Sequence, residues 1–196
     1  MALLSTAPDR GRIAHGLQRM RHLPGRMWWP VLAIHVLCYQ AMGQEAAEYP
    51  VKAAFLLNFT RFIEWPSEAF ENARSPLAIC ILGDDPFGTT LDQLVKGEAV
   101  NGRKLVVQRI RRAPPPKSCQ VLFVSTSEKD LPKILTGLGP GVLTVGEADG
   151  FLRDGGIIAF VIENRRVRFD INQSAAANAS LTMSARLLNV ARSVQR

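Results

Sequence analysis

The stretch "PLAICILGDDPFGTTLDQLVKG", Pro76 to Gly97, decides the fold. Leu77–Leu82 is an unbroken apolar run, the pattern of a strand covered on both faces. Gly83 opens a turn. Asp85 precedes Pro86, so the spacing predicts an Asp85 N-cap and a helix whose first residue is Pro86. Lys96-Gly97 closes that helix. A doubly covered strand followed at once by a helix is the unit of a parallel sheet.

The pattern repeats downstream. "RKLVVQRI", Arg103–Ile110, reads as a second strand entered through Asn101-Gly102, and "QVLFVS", Gln120–Ser125, as a third. Ser127 with Asp130 resembles a capping box for a helix running to about Gly137. "VLTVG", Val142–Gly146, is a fourth strand. Two more apolar runs, Ile157–Ile162 and Val167–Ile171, are joined by Glu163-Asn164-Arg165-Arg166 as in a hairpin. The end, Ser184–Val194, carries a helical stripe at Leu187, Leu188, Val190 and Ala191. The expected fold class is α/β: a mainly parallel sheet covered by helices on both faces, with an antiparallel hairpin near the C-terminal end.

Upstream lies "YPVKAAFLLNFTRFIEWP", Tyr49–Pro66. As a helix over Val51–Glu64, it places Phe55, Leu56, Phe59, Phe62 and Ile63 within an arc of roughly 120°. Pro66 stops it at Trp65. It is too short for a membrane span, which needs about 20 apolar residues. A core helix is the expectation. Leu57 falls off the apolar arc, so the flank with Leu57 and Arg61 is left for a protein contact.

The first 43 residues do not read as part of the fold. Five arginines (Arg10, Arg12, Arg19, Arg21, Arg26) precede the apolar run "WWPVLAIHVLCY", Trp28–Tyr39, and small residues follow. A basic start, a short apolar run and an A-x-G exit are the parts of a secretory signal. Cleavage is expected after Ala41-Met42-Gly43, with Met20 as an alternative start of the chain. Cys38 follows Val36-Leu37, which argues against a lipid-modified cysteine. The single expected domain is then 44–196, and the expected location is the periplasm.

Removing that segment changes the chemistry. The whole chain carries a formal charge of +7. Five arginines and one aspartate leave with residues 1–43, and His15, His22 and His35 go with them. The remaining excess of cations is small, so nucleic-acid binding loses its support. A domain without histidine has no Ser-His-Asp triad and no histidine metal ligand. No GxGxxG or Walker A sequence occurs, and no cofactor is expected. Cys80 and Cys119 remain. In an exported protein an even pair reads as one disulfide, the alternative being two buried thiols.

Ligands of open parallel sheets sit beyond the carboxyl ends of the strands. That places Asp84, Asp85, Ser125, Thr126 and Glu147 around one crevice, suited to a small polar ligand. Adjacent carboxylates at Asp84 and Asp85 also suit a hard cation or mutual pKa elevation. A plain turn with a helix cap explains the same residues and is the preferred reading.

The whole domain resembles the YfiR-like family of small exported proteins. The resemblance is carried, in order, by "YPVKAAFLLNFTRFIEWP", "ICILGDDPFG", "VNGRKL", "CQVLFVS", "LTVGEADGF", "GGIIAFVIENRRVRFDIN" and "SARLLNVAR". It implies a periplasmic protein that is not an enzyme. Family members bind the periplasmic domain of an inner-membrane diguanylate cyclase and hold it inactive. An outer-membrane lipoprotein can sequester the repressor. Cys80 and Cys119 match the family's disulfide. Asp154 and Val161 stand where some members have a second cysteine pair. The family's partner contact lies towards the C-terminus, which points to Asn172, Gln173 and Asn178. A homodimer stays open. A periplasmic module sensing a small polar ligand is the alternative function, and a carboxylate enzyme using Asp84 and Asp85 a distant third.

Overall fold

The computed structural model describes residues 48–196. The expected export signal, 1–43, lies outside the described residues. The first helix, α1, covers 48–62. The remaining elements are β1 (Ile63–Glu64), β2 (Leu77–Leu82), α2 (Thr89–Val95), β3 (Ala99–Val100), β4 (Arg103–Ile110), β5 (Val121–Val124) and α3 (Leu131–Thr136). After these come β6 (Leu143–Gly146), β7 (Ile158–Glu163), β8 (Arg166–Asn172), α4 (Gln173–Asn178), β9 (Thr182–Met183), α5 (Ala185–Val190) and β10 (Ser193–Gln195).

One eight-stranded sheet has the order β10-β8-β7-β6-β5-β2-β4-β3. The strands β4, β2, β5, β6 and β7 run parallel to one another. β7 and β8 form the antiparallel hairpin, and β10 returns parallel to β8. The α/β class with its mainly parallel sheet and C-terminal hairpin is therefore as the sequence pattern implied. Strand order reverses between β2 and β5, which is the switch point of a doubly wound arrangement, where ligands of such sheets commonly sit.

Alternation along β2 explains why the run is apolar throughout. Leu77, Ile79 and Ile81 enter the larger core cluster, while Ala78, Cys80 and Leu82 enter a second cluster on the other face. The larger cluster is covered by α1, α2, α4 and α5 through residues such as Leu56, Leu91, Ala176 and Leu187. The second is covered by Leu131 of α3 and by Phe151 and Leu152. Phe59 of α1 meets Phe169 edge-on with ring centres 5.1 Å apart. Phe55 and Phe62 are half-buried against the same cluster. The phenylalanine face of the helix is thus its buried face.

The expected strands move by at most one residue at either end, whereas the helix ends differ more. α1 ends at residue 62, because Ile63 and Glu64 pair with Met183 and Thr182 as a short antiparallel ladder. α2 begins at Thr89, not Pro86, and its N-cap is Gly88. α3 begins at Leu131, with Asp130 at the N-cap and Ser127 outside it. The last helix has Ser184 as its N-cap, Oγ accepting from Leu187 N–H, but it stops at Val190. The residues after it extend and join the sheet as β10. α4, β3 and β9 carry no strong local pattern and were not expected.

Candidate functional site

At the switch point, the turn after β2 meets the turn after β5. Asp84 N–H donates to Ser127 Oγ at 3.1 Å, and Ser127 N–H donates to Ser125 Oγ at 3.3 Å. Ser125 N–H donates to Leu82 O at 3.0 Å. Gly83 sits at φ 86°, and a Cβ there would lie 2.6 Å from Ser127 Oγ. The two turns are packed too closely to leave an open crevice between them.

Asp85 is occupied by its own loop. Its Oδ1 accepts from Phe87 N–H at 2.8 Å and Gly88 N–H at 3.3 Å, and its Oδ2 accepts from Arg109 Nε at 2.8 Å. Its carboxylate therefore holds the approach to α2 and does not cap the helix. Arg109 also donates to both oxygens of Asp92, at 2.9 and 2.6 Å. That hydrogen bonding holds the Asp92 carboxyl below the usual carboxylate range and pushes the Arg109 guanidinium still higher. Among the described residues, no cluster of three or more His, Cys, Asp or Glu side chains is arranged to hold a metal ion.

Thr126 and Glu147 do come together, in a different hollow of about 560 Å³ beyond the carboxyl ends of β5, β6 and β7. Asp84, Asp85 and Ser125 do not line it. Tyr49 and Lys52 of α1 do. Lys52 is 3% exposed and pairs with both Glu48 and Glu147. Tyr49 O–H donates to Glu147 Oε1 at 3.1 Å, and Lys52 Nζ lies 4.6 Å from the Tyr49 ring centre. Sequence reasoning passed over Tyr49 and Lys52. The available signal was a cation on the apolar side of a core helix, which must be paired if buried.

At the amino end of the parallel strands lies another hollow, of about 450 Å³. Leu135, Leu138, Val142 and Ile157 form its apolar wall, and Asn172 and Asn178 border it. Asn172 is a structural residue. Its Oδ1 accepts from Ala175 N–H at 2.9 Å as the N-cap of α4, and its Nδ2 donates to Leu152 O at 3.2 Å. Gln173 is half-buried and Asn178 is exposed. On α1, Arg61 is exposed and donates to Glu98 at 2.6 Å. Leu57 corrects the expectation: it is 9% exposed and belongs to the larger cluster. The covered arc of α1 is wider than its phenylalanine face, so Leu57 is not available as a contact residue.

Cys80 and Cys119 are joined as a disulfide with Cα atoms 6.0 Å apart, and each residue is 1% exposed. Cys80 is in β2 and Cys119 lies just before β5, its neighbour in the sheet. The adjacent Gln120 is buried and fully used. Its Oε1 accepts from Ala78 N–H at 2.9 Å and its Nε2 donates to Ala69 O at 2.7 Å.

The sequence signature of YfiR/HmsC-like proteins matches residues 49–192. No curated protein sequence matches the chain. Among solved structures, a conserved domain protein from Vibrio cholerae O1 biovar El Tor is similar with a TM-score of 0.40 and 15% identity. The match covers 66% of this chain and 57% of that protein, so the chain spans a little over half of its length.

Proposed function

The chain belongs to the YfiR/HmsC-like family, and from this membership, which supports a periplasmic regulatory role in general, we propose a specific one. The protein is a non-enzymatic repressor. It binds the periplasmic domain of an inner-membrane diguanylate cyclase and lowers cyclic di-GMP synthesis. The observation that carries this reading is the family match along nearly the whole described domain. The chemistry of the domain agrees with it. The two cysteines are bonded to each other, Asp85 is spent on its loop and Arg109, and Glu147 is spent on Lys52 and Tyr49.

Repression needs only a preference for the cyclase's inactive state. Moving a two-state equilibrium from 1:99 to 99:1 takes about 5.5 kcal/mol of differential affinity. A modest interface with a few apolar anchors supplies that. The hollow beside α4, with Asn172 and Asn178 at its border, half-buried Gln173 next to it, and the Arg61 flank of α1 are the contact regions of this reading. An outer-membrane lipoprotein would act by competing for the repressor.

Deleting the gene tests the proposal. Cyclic di-GMP should rise and surface attachment increase, and a plasmid copy lacking residues 1–43 should not restore the wild-type level. An unchanged nucleotide level, with the cyclase expressed, overturns it. The second reading, a module sensing a small polar ligand, would then take over. It is favoured by the hollow that gathers Thr126 and Glu147 at the carboxyl ends of the strands.

A further inference from the structure

The turn between β7 and β8 is strained for its sequence. Asn164 and Arg165 both adopt positive φ, 51° and 60°. Two-residue turns of this shape favour Asn-Gly. A left-handed backbone is strained for arginine, whose Cβ crowds the carbonyl oxygen that follows. Its side chain is exposed at the tip, beside exposed Arg166. Among the described residues neither arginine forms an ion pair.

Next to these arginines, a groove of about 330 Å³ runs between α1 and the hairpin. Val51, Phe55, Ile162 and Val167 give it an apolar lining, and Glu48 stands with Arg165 and Arg166 on its rim. Val51 is 45% exposed and Ile162 46%, two of the three large hydrophobic residues so exposed among those described. Apolar side chains held open under unpaired guanidinium groups are complementary to an apolar anchor flanked by carboxylates.

We infer that this groove docks a segment of the regulated partner, one that places an apolar side chain against Val51 and Ile162 and carboxylates against Arg165 and Arg166. The inference rests on the regulatory reading above and adds to it a further contact, distant from α4. Asn172 and Arg166 are the two ends of β8, about 20 Å apart at strand rise. A concave groove with Glu48 on its rim suits a protein segment better than an anionic lipid surface. A second copy of this chain is also a poor fit. Its remaining exposed large hydrophobic, Val190 at 59%, ends α5, and "ARLLNV" contains no carboxylate.

The test uses the chain expressed in its host and purified from the envelope, titrated with the purified periplasmic domain of a membrane diguanylate cyclase encoded in the same genome. Arg165→Gly removes the guanidinium and relieves the turn. It should melt no lower than wild type yet bind about tenfold more weakly, with less sensitivity to salt. Ile162→Ser should weaken binding by a similar factor while keeping the wild-type circular dichroism. If wild type binds and both variants bind equally well, the inference fails and the regulatory reading stands. If wild type does not bind, the regulatory reading fails and the inference falls with it. Binding of wild type but not Arg165→Gly to phosphatidylglycerol vesicles would overturn it in favour of a lipid surface. Self-association abolished by Ile162→Ser would overturn it in favour of a second copy.

Discussion

Lys52 and Glu147 form an ion pair at the carboxyl end of the sheet, although 95 residues separate them in the chain. Their side chains are 3% and 12% exposed. The pair ties α1 to the turn after β6, and Glu48 gives Lys52 a second carboxylate. Removing one partner of a buried pair leaves an uncompensated charge and costs about 3–5 kcal/mol, whereas an apolar replacement of both is often neutral. Lys52→Met should cost that amount, because Glu48 and Glu147 then face each other without a cation. Glu147→Leu should cost less than Lys52→Met, since Lys52 keeps Glu48. The double variant Lys52→Met with Glu147→Leu should recover most of the loss. Urea unfolding of all four proteins closes the cycle, and additive losses would mean the pair is not coupled.

Phe151 is 1% exposed and packs between Gly146 and Gly156. A Cβ at Gly146 would lie 2.3 Å from its ring, and one at Gly156 2.2 Å from it. Phe151 anchors the segment that covers the second core cluster, so the ring cannot swing aside freely. Gly146→Ala should destabilise the fold by about 1–3 kcal/mol or more, as overpacking does. Gly139→Ala, with nothing within 4 Å of the added carbon, should stay within about 0.5 kcal/mol of wild type. Thermal melts of the two variants compare the sites directly, and equal melting points would refute the packing argument.

The fold was legible where one local rule dominates. The bounds of β2 and β4 match the strands read at Leu77–Leu82 and Arg103–Ile110. Helix starts were less legible, because capping residues had other uses. Asp85 turned to Phe87, Gly88 and Arg109, and Ser127 turned to Ser125. The chain end was misread because β10 is defined by a partner strand, β8, about twenty residues earlier. The candidate site suffered most from this kind of distance. Nothing near Lys52 announces Glu147, and nothing near Leu57 announces that its side of α1 is covered.

The disulfide links residues 39 apart in sequence. Chain entropy for a loop of that size gives roughly 4 kcal/mol as the upper bound of its stabilisation. The double variant Cys80→Ala, Cys119→Ala should lose up to that amount and still fold, since both positions lie in a well-packed cluster. The same loss should appear on adding a reductant that reaches the unfolded protein. Guanidinium unfolding with and without reductant measures it. Identical midpoints for oxidised and reduced wild type would show that the bond adds nothing to stability.

Arg192 fastens the chain end to β8. Its Nε donates to Asp170 Oδ1 at 2.8 Å, its other donor reaches Oδ2, and its backbone N–H donates to Phe169 O at 2.8 Å. Hydrogen bonding from Arg192, first, and then from Ser193 holds the Asp170 carboxyl below the usual range. A carboxylate with a lowered folded pKa binds its proton less readily folded than unfolded. Its stabilisation is therefore fully present above the unfolded value of about 4, and is lost as pH falls through the lower, folded value. Asp170→Asn should cost about 1.5–3 kcal/mol at neutral pH, the range for hydrogen bonds to charged groups. The gap between wild type and variant should stay level down to about pH 5 and close below pH 4. It should also expose β10, so that carboxypeptidase trims the variant from Arg196 inward faster than wild type. Urea unfolding across this pH range checks the sign, and a gap that persists unchanged well below pH 4 would mean the pair adds no pH-dependent stability.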